Sequence, residues 1–127
     1  MPAPTMTFNA AGNVLASQSL AASANVSTST LDYSAIFEGQ VHVKNTPGGS
    51  VSATRGVQVD VYRRYGSTPT TGESAFLSMT LPSETASTAE SVDLLIPTGK
   101  YLVKLTNLDA TNAVTVEITA DTVNAVN

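Results

Sequence analysis

The sequence lacks most of the residues from which catalytic and metal sites are built. Its 127 residues include no Cys, no Trp and a single His. Without Cys there is no disulfide to staple the fold, and one His with no second His or Cys does not complete a zinc site. We interpret His42, beside Gln40 and Lys44 on the polar side of an alternating stretch, as a solvated strand residue. We expect neither a metal nor a cofactor.

Charge and long apolar runs are also scarce. Charged residues make up 13% of the chain and the net charge is -4, whereas binding to a phosphate backbone needs clustered Lys and Arg. No run approaches the roughly 18 apolar residues that span a bilayer. The first residues carry no basic segment followed by an apolar one, so no cleavable signal is predicted. We expect no nucleic acid partner, no membrane partner and synthesis in the cytoplasm.

Catalytic arrangements are missing as well. The Gly-x-Ser-x-Gly turn of a serine nucleophile does not occur. Glu38 and Asp60 are predicted on outward strand faces, where they could approach as glycosidase carboxylates do, but nothing indicates a pocket around them. Asn107, Asp109 and Asn112 are the nearest approach to a calcium loop, and we interpret them as partners of turn backbone groups. The sequence therefore predicts no enzymatic activity and no small-molecule substrate.

What the sequence does contain is alternation with a period of two, which is typical of half-buried strands. Apolar residues alternate with more polar ones over residues 37–44, 57–62 and 114–119. A strand is predicted over residues 76–81, ended by Pro82, and a hairpin is predicted from residues 92–96 and 101–107 around Pro97-Thr98-Gly99-Lys100. Strands at this spacing without helical patterns favour an antiparallel β-sandwich, jelly-roll or immunoglobulin-like, although a small barrel would share these signals.

The chain is predicted to divide into three parts. Residues 1–28 form an N-terminal arm rich in Ala, Ser and Thr, extended or ordered in part by partners, with a short helix near residues 14–24 as the alternative. Residues 29–122 form the β-sandwich domain, and residues 123–127 are a short tail. The large apolar residues of the arm are candidates for an interface: Phe8, Val14, Leu15 and Leu20.

A second interface candidate is Tyr62-Arg63-Arg64-Tyr65. Tyr and Arg are enriched at the energetic centres of protein interfaces, because they combine contact area with hydrogen bonding. With Arg55, this region holds half of the positive charge of the chain, which suits an acidic protein partner. The alternative interpretation is the end of a strand that carries two solvated arginines.

Three segments carry a resemblance to a known family. They are Leu31-Asp32-Tyr33-Ser34, residues 37–43 and residues 56–64, and the closing segments 97–107 and 113–119 also fit. The sequence resembles small virion proteins of tailed bacteriophages.

The resemblance implies a capsid decoration (cement) protein that binds the major capsid protein on the outside of the shell and stabilises it without catalysis. It also implies a homo-oligomer, with a trimer favoured, that is assembled in the host cytoplasm and located in the virion. The alternative function is a carbohydrate-binding or adhesion module of a phage tail or cell surface. The absence of Trp weighs against that alternative.

Overall fold

In the computed structural model, which describes residues 6–8, 12–50, 56–64 and 66–126, the chain folds into antiparallel strands. The described residues form eight strands: β1 (Met6–Phe8), β2 (Gly12–Leu20), β3 (Asn25–Ser27), β4 (Leu31–Pro47), β5 (Gly56–Arg64), β6 (Leu77–Pro82), β7 (Glu90–Asn107) and β8 (Val114–Val126). These residues contain no helix, and hence none that could cross a membrane. The predicted all-β, antiparallel sandwich is confirmed.

Two long strands, β4 and β7, build both layers of the sandwich. In one layer, residues 38–47 of β4 lie between β8 and residues 90–97 of β7, while β1 and β2 pair with the far side of β8. In the other layer, residues 100–107 of β7 lie between β5 and a side formed by β3 and the start of β4, and β6 pairs with the far side of β5. The strand order is therefore β1-β8-β4-β7-β5-β6.

The predicted hairpin at Pro97 to Lys100 is wrong, because β7 runs through this segment without reversing. Here the strand passes from one layer to the other. Gly99 takes a φ of 146°, a conformation that L-residues rarely adopt. On the neighbouring strand, residues 34–37 bulge out of register, and the Thr98 hydroxyl donates to the carbonyl oxygens of Tyr33 and Ser34. A Pro-Thr-Gly sequence that suggests a turn thus forms a bend within one strand.

The core lies between the layers and follows the predicted alternation. Val57, Val59 and Val61 are at most 1% exposed. The same holds for the inward side chains of the central strands: Val41, Val43, Tyr101, Val103, Leu105, Val116 and Ile118. Asp60 departs from the prediction of an outward, solvated carboxylate, since it is 8% exposed and accepts hydrogen bonds from Gln58 and Ser78.

Both ends of the chain pair within the sheet. The predicted arm is extended where it is described, and β2 pairs with β8 of the same chain with register shifts near Asn13 and Leu15. Residues 123–126, expected to be a tail, instead continue β8 and pair with β1. Because Leu20 is 4% exposed within the core, the described part of the arm is ordered by its own domain.

Candidate functional site

Tyr62, the first residue of the predicted Tyr-Arg-Arg-Tyr interface, is buried. It is 6% exposed, and burial, followed by the negative charge of Asp60, raises the pKa of its phenol. A ring with so little exposed area cannot anchor a partner, so the interface prediction fails for Tyr62. Tyr65 lies outside the described residues, as does Arg55.

Arg63 closes one end of the core. It follows Val57, Val59 and Val61 in the alternation of β5, and its side chain is half-buried. The guanidinium carbon lies 5.1 Å from the ring centroid of Phe76 and 5.8 Å from that of Tyr101. An Nη atom also donates to the carbonyl oxygen of Thr98, at 3.4 Å. The two rings also contact each other edge to face, with centroids 6.4 Å apart. Arg63 thus packs against this ring pair and the bend of β7, which is a structural position.

Arg64 is exposed but holds a loop of its own chain. Its Nε atom lies 2.9 and 3.0 Å from the two carboxylate oxygens of Glu73, and its Nη1 atom donates to the Ser67 hydroxyl. The same carboxylate accepts the backbone N–H and the hydroxyl of Thr70. The hydrogen bond from Arg64 is the largest of the effects that lower the pKa of Glu73. Arg64 therefore orders residues 67–73.

The candidate residues of the arm also serve the fold. Leu20 belongs to the core cluster, and Val14 and Leu15 are half-buried against it. Phe8 contributes backbone to β1, and its side chain is not among those described. Val14 and Leu15 keep part of their surface exposed, whereas an interface formed by Leu20 would first require β2 to leave β8.

The polar side chains considered as site residues form hydrogen bonds with one another or with nearby backbone groups. The Nδ1 atom of His42 lies 2.6 Å from the Oδ1 atom of Asp93 on the adjacent strand. Asp109 accepts hydrogen bonds from the backbone N–H and side chain of both Thr111 and Asn112. The side chain of Asn107 donates to the carbonyl oxygens of Leu20, Ala21 and Asn112. The interpretation of Asn107, Asp109 and Asn112 as turn partners is confirmed.

Of the large apolar side chains that the structure describes, the exposed ones lie at two sheet edges. Phe76 and Leu77 are 51% and 39% exposed at the start of β6, and Leu95 is 75% exposed in the first half of β7. Among the described strands, β6 pairs with β5 alone, and residues 90–97 pair with β4 alone. We call these the β6 edge (residues 76–82) and the β7 edge (residues 90–97). Within the part of the chain that the structure describes, the outer main-chain groups of each edge pair with no second strand and lie beside apolar side chains.

The two edges differ in charge. The β6 edge has the sequence Phe-Leu-Ser-Met-Thr-Leu-Pro and carries no charge, and its register with β5 has no shift. The β7 edge carries Glu90 and Asp93. Natural proteins usually protect open edges with charges, bulges or a covering segment. Sequence reasoning located the strand at residues 76–81, but it did not show that this strand lies at an edge.

Among the residues that the structure describes, no group of three or more His, Asp or Glu side chains is placed to hold a metal ion. No family model and no curated protein matches the chain. The chain is similar to the solved structure of a family 35 carbohydrate binding module from an environmental isolate, at 18% sequence identity and a TM-score of 0.49. The match covers 84% of this chain and 71% of that one.

Proposed function

We propose that this chain is a structural protein that binds other protein subunits through the edges of its sandwich. The observation that carries the proposal is the contrast between polar clusters that are satisfied internally and exposed apolar residues at two open edges. An open edge binds an extended segment of a partner by adding a strand, with main-chain hydrogen bonds for affinity and side chains for specificity. Function then depends on the edges of the sheet.

The specific form that we propose is a capsid decoration protein of a tailed bacteriophage. Its support is the sequence resemblance given above, together with a fold suited to a rigid attachment. In this role the β7 edge, with Leu95 at its surface, contacts the major capsid protein. In the complex the major capsid protein would supply an apolar contact for Leu95. The contact between Asp93 and His42 would remain as it is in the isolated chain.

Cosedimentation with capsids tests this proposal. The partner is the shell assembled from the major capsid protein encoded nearest to the gene for this chain. We expect the wild-type chain to pellet with these shells and Leu95→Lys to bind at least about tenfold more weakly, because the charge is placed in the apolar contact. Thr115→Lys is the matched control, since Thr115 is exposed on β8, an interior strand.

Two results would contradict the proposal. If the wild-type chain stays in the supernatant at all concentrations, it is not a decoration protein of that shell. If Leu95→Lys and Thr115→Lys bind equally to shells that retain the wild-type chain, the β7 edge is not the contact.

The carbohydrate-binding alternative now depends on Phe76. Sugars commonly stack on exposed aromatic faces, and of the aromatic side chains that the structure describes, Phe76 is the exposed one. The guanidinium of Arg63 covers one face of its ring, which leaves less surface for a sugar. Binding of the wild-type chain on a glycan array, lost in Phe76→Ala, would favour this alternative over the capsid role.

A further inference from the structure

The sequence of the β6 edge is self-complementary. Leu77, Met79 and Leu81 oppose Val61, Val59 and Val57 of β5, so their side chains point to the core side of the sheet. Ser78 and Thr80 lie between them and are exposed on the other side. If a second β6 approaches antiparallel with Met79 opposite Met79, apolar residues meet apolar residues and polar residues meet polar residues.

This register also covers the exposed residues at the start of the strand. Leu77 lies opposite Leu81 of the second copy, and Ser78 lies opposite its Thr80. One residue further out, Phe76 reaches Pro82 of the second copy. The ring and the Leu77 side chain, which are 51% and 39% exposed in the isolated chain, gain an apolar cover at both ends of the pair. Pro82, the last residue of β6, has no N–H. Because it lies at the end of the paired segment, it interrupts few of the hydrogen bonds between the two strands.

Two other edges, the β7 edge and β2, are less suited to pairing with themselves. On the β7 edge, Glu90 and Asp93 would bring like charges together from the two copies, which is unfavourable at short range. On β2, two register shifts break the regular ladder, and bulges of this kind turn an edge away from partners. The β6 edge is regular and uncharged over its whole length.

We propose that the β6 edge pairs with the β6 edge of a second copy of this chain, antiparallel about a two-fold axis at Met79. The inference rests on the proposed function, because it assigns a partner to one of the two edges named there. A two-fold contact uses the same surface on both copies, so it joins chains in pairs and leaves the β7 edge free for a different subunit. One short strand pair buries less than a standard stable interface, so the contact is weak in solution and strengthened when the chains are held on a shared surface.

Single cysteine variants test the register directly, because the chain has no Cys that could form other disulfides. Residues directly opposite in an antiparallel pair have Cα atoms about 4.5–5.5 Å apart, within the span of a disulfide. Under mild oxidation we expect Met79→Cys to form a covalent dimer at least about tenfold faster than the control Thr115→Cys, because pairing raises the effective concentration of the thiols. Thr80→Cys should link poorly with itself but readily with Ser78→Cys in a mixture.

The mixed pair keeps the test valid if Met79→Cys fails to fold, because Ser78 and Thr80 are exposed. The proposal is overturned if neither Met79→Cys nor the mixed pair links faster than Thr115→Cys. It is also overturned if Thr80→Cys links with itself as fast as it does with Ser78→Cys.

Sedimentation equilibrium of the wild-type chain gives the noncovalent measurement. We expect a dimer that increases with concentration and is lost in Thr80→Lys, where the edge acquires a charge, but retained in Thr115→Lys. A wild-type chain that remains monomeric at millimolar concentration contradicts self-pairing and leaves capsid binding to be judged by its own test. Conversely, a dimer that does not bind shells contradicts the capsid role alone.

Discussion

The guanidinium carbon of Arg63 lies 5.1 Å from the centre of the Phe76 ring, at the end of the core where β5 meets the bend of β7. The same group lies 5.8 Å from Tyr101, which is fully buried. The arginine therefore packs against an exposed ring and a core ring, which also contact each other edge to face. Its position explains why a charged residue follows three inward valines in β5.

Replacing Arg63 with Met should lower the free energy of unfolding by about 1–2 kcal/mol, because a half-buried cation–π contact contributes on that scale. Urea unfolding at neutral pH measures the change. Lys44→Met is the control, since Lys44 is also a half-buried cation on a strand. Equal stability of the two variants would contradict a structural role for Arg63.

Gly99, the glycine of the bend in β7, should be hard to replace. An added Cβ would find ordinary contacts at 3.5 Å from Arg63, Arg64 and Tyr101, so the cost comes from the backbone conformation. We expect Gly99→Ala to lose about 1–3 kcal/mol of unfolding free energy. Gly49→Ala, where a Cβ meets nothing within 4 Å, should leave stability nearly unchanged. If both variants unfold at the same urea concentration, the bend does not depend on Gly99.

Asp109 should make the fold sensitive to acid. The hydrogen bond from the Asn112 side chain, followed by that from the Thr111 backbone, holds the pKa of Asp109 well below its usual range. Because the folded pKa is lower than the unfolded one, the ionised carboxylate stabilises the fold at neutral pH. That contribution declines as pH falls below about 4 toward the folded value.

As the pH is lowered from about 5 to about 2, the free energy of unfolding of Asp109→Asn should therefore fall by less than that of the wild-type chain. Thermal unfolding across this range measures the difference. Asp121→Asn, an exposed aspartate outside the turn, is the control. A pH profile of Asp109→Asn that runs parallel to that of the wild-type chain would show that Asp109 does not carry the acid sensitivity.

The sequence predicts where most strands lie, but not which strands pair with one another. The alternation of Val57, Val59 and Val61 predicted buried faces because a strand covered on one side must repeat with a period of two. The Pro-Thr-Gly sequence predicts a hairpin where the structure has a bend at Gly99, because local residues do not show whether a chain reverses or changes layer. The sequence predicts an interface or solvated residue at Arg63, because the rings that it packs against are distant in the sequence. Whether β6 is an edge or a central strand likewise depends on long-range pairing.

The first strands of the chain, β1 and β2, should be needed for the stability of the sandwich. No charged residue precedes Asp32, and β2 covers the outer side of β8 with Leu20 inserted into the core. Removing residues 1–20 uncovers the β8 edge and leaves a cavity at the Leu20 position. Loss of a buried leucine alone costs about 2–5 kcal/mol, so we expect the truncated chain to unfold at lower urea concentration and to aggregate through β8.

A synthetic peptide of residues 12–20 should restore the stability of the truncated chain, because it can pair with β8 as β2 does in the intact chain. Binding is measured by fluorescence polarisation of the labelled peptide, and rescue by urea unfolding in the presence of excess peptide. The same peptide with Leu20→Asp is the control, since it keeps the backbone pairing but places a charge in the core. A truncated chain that is as stable as the full chain, or equal binding of both peptides, would mean that β2 does not hold the sandwich closed.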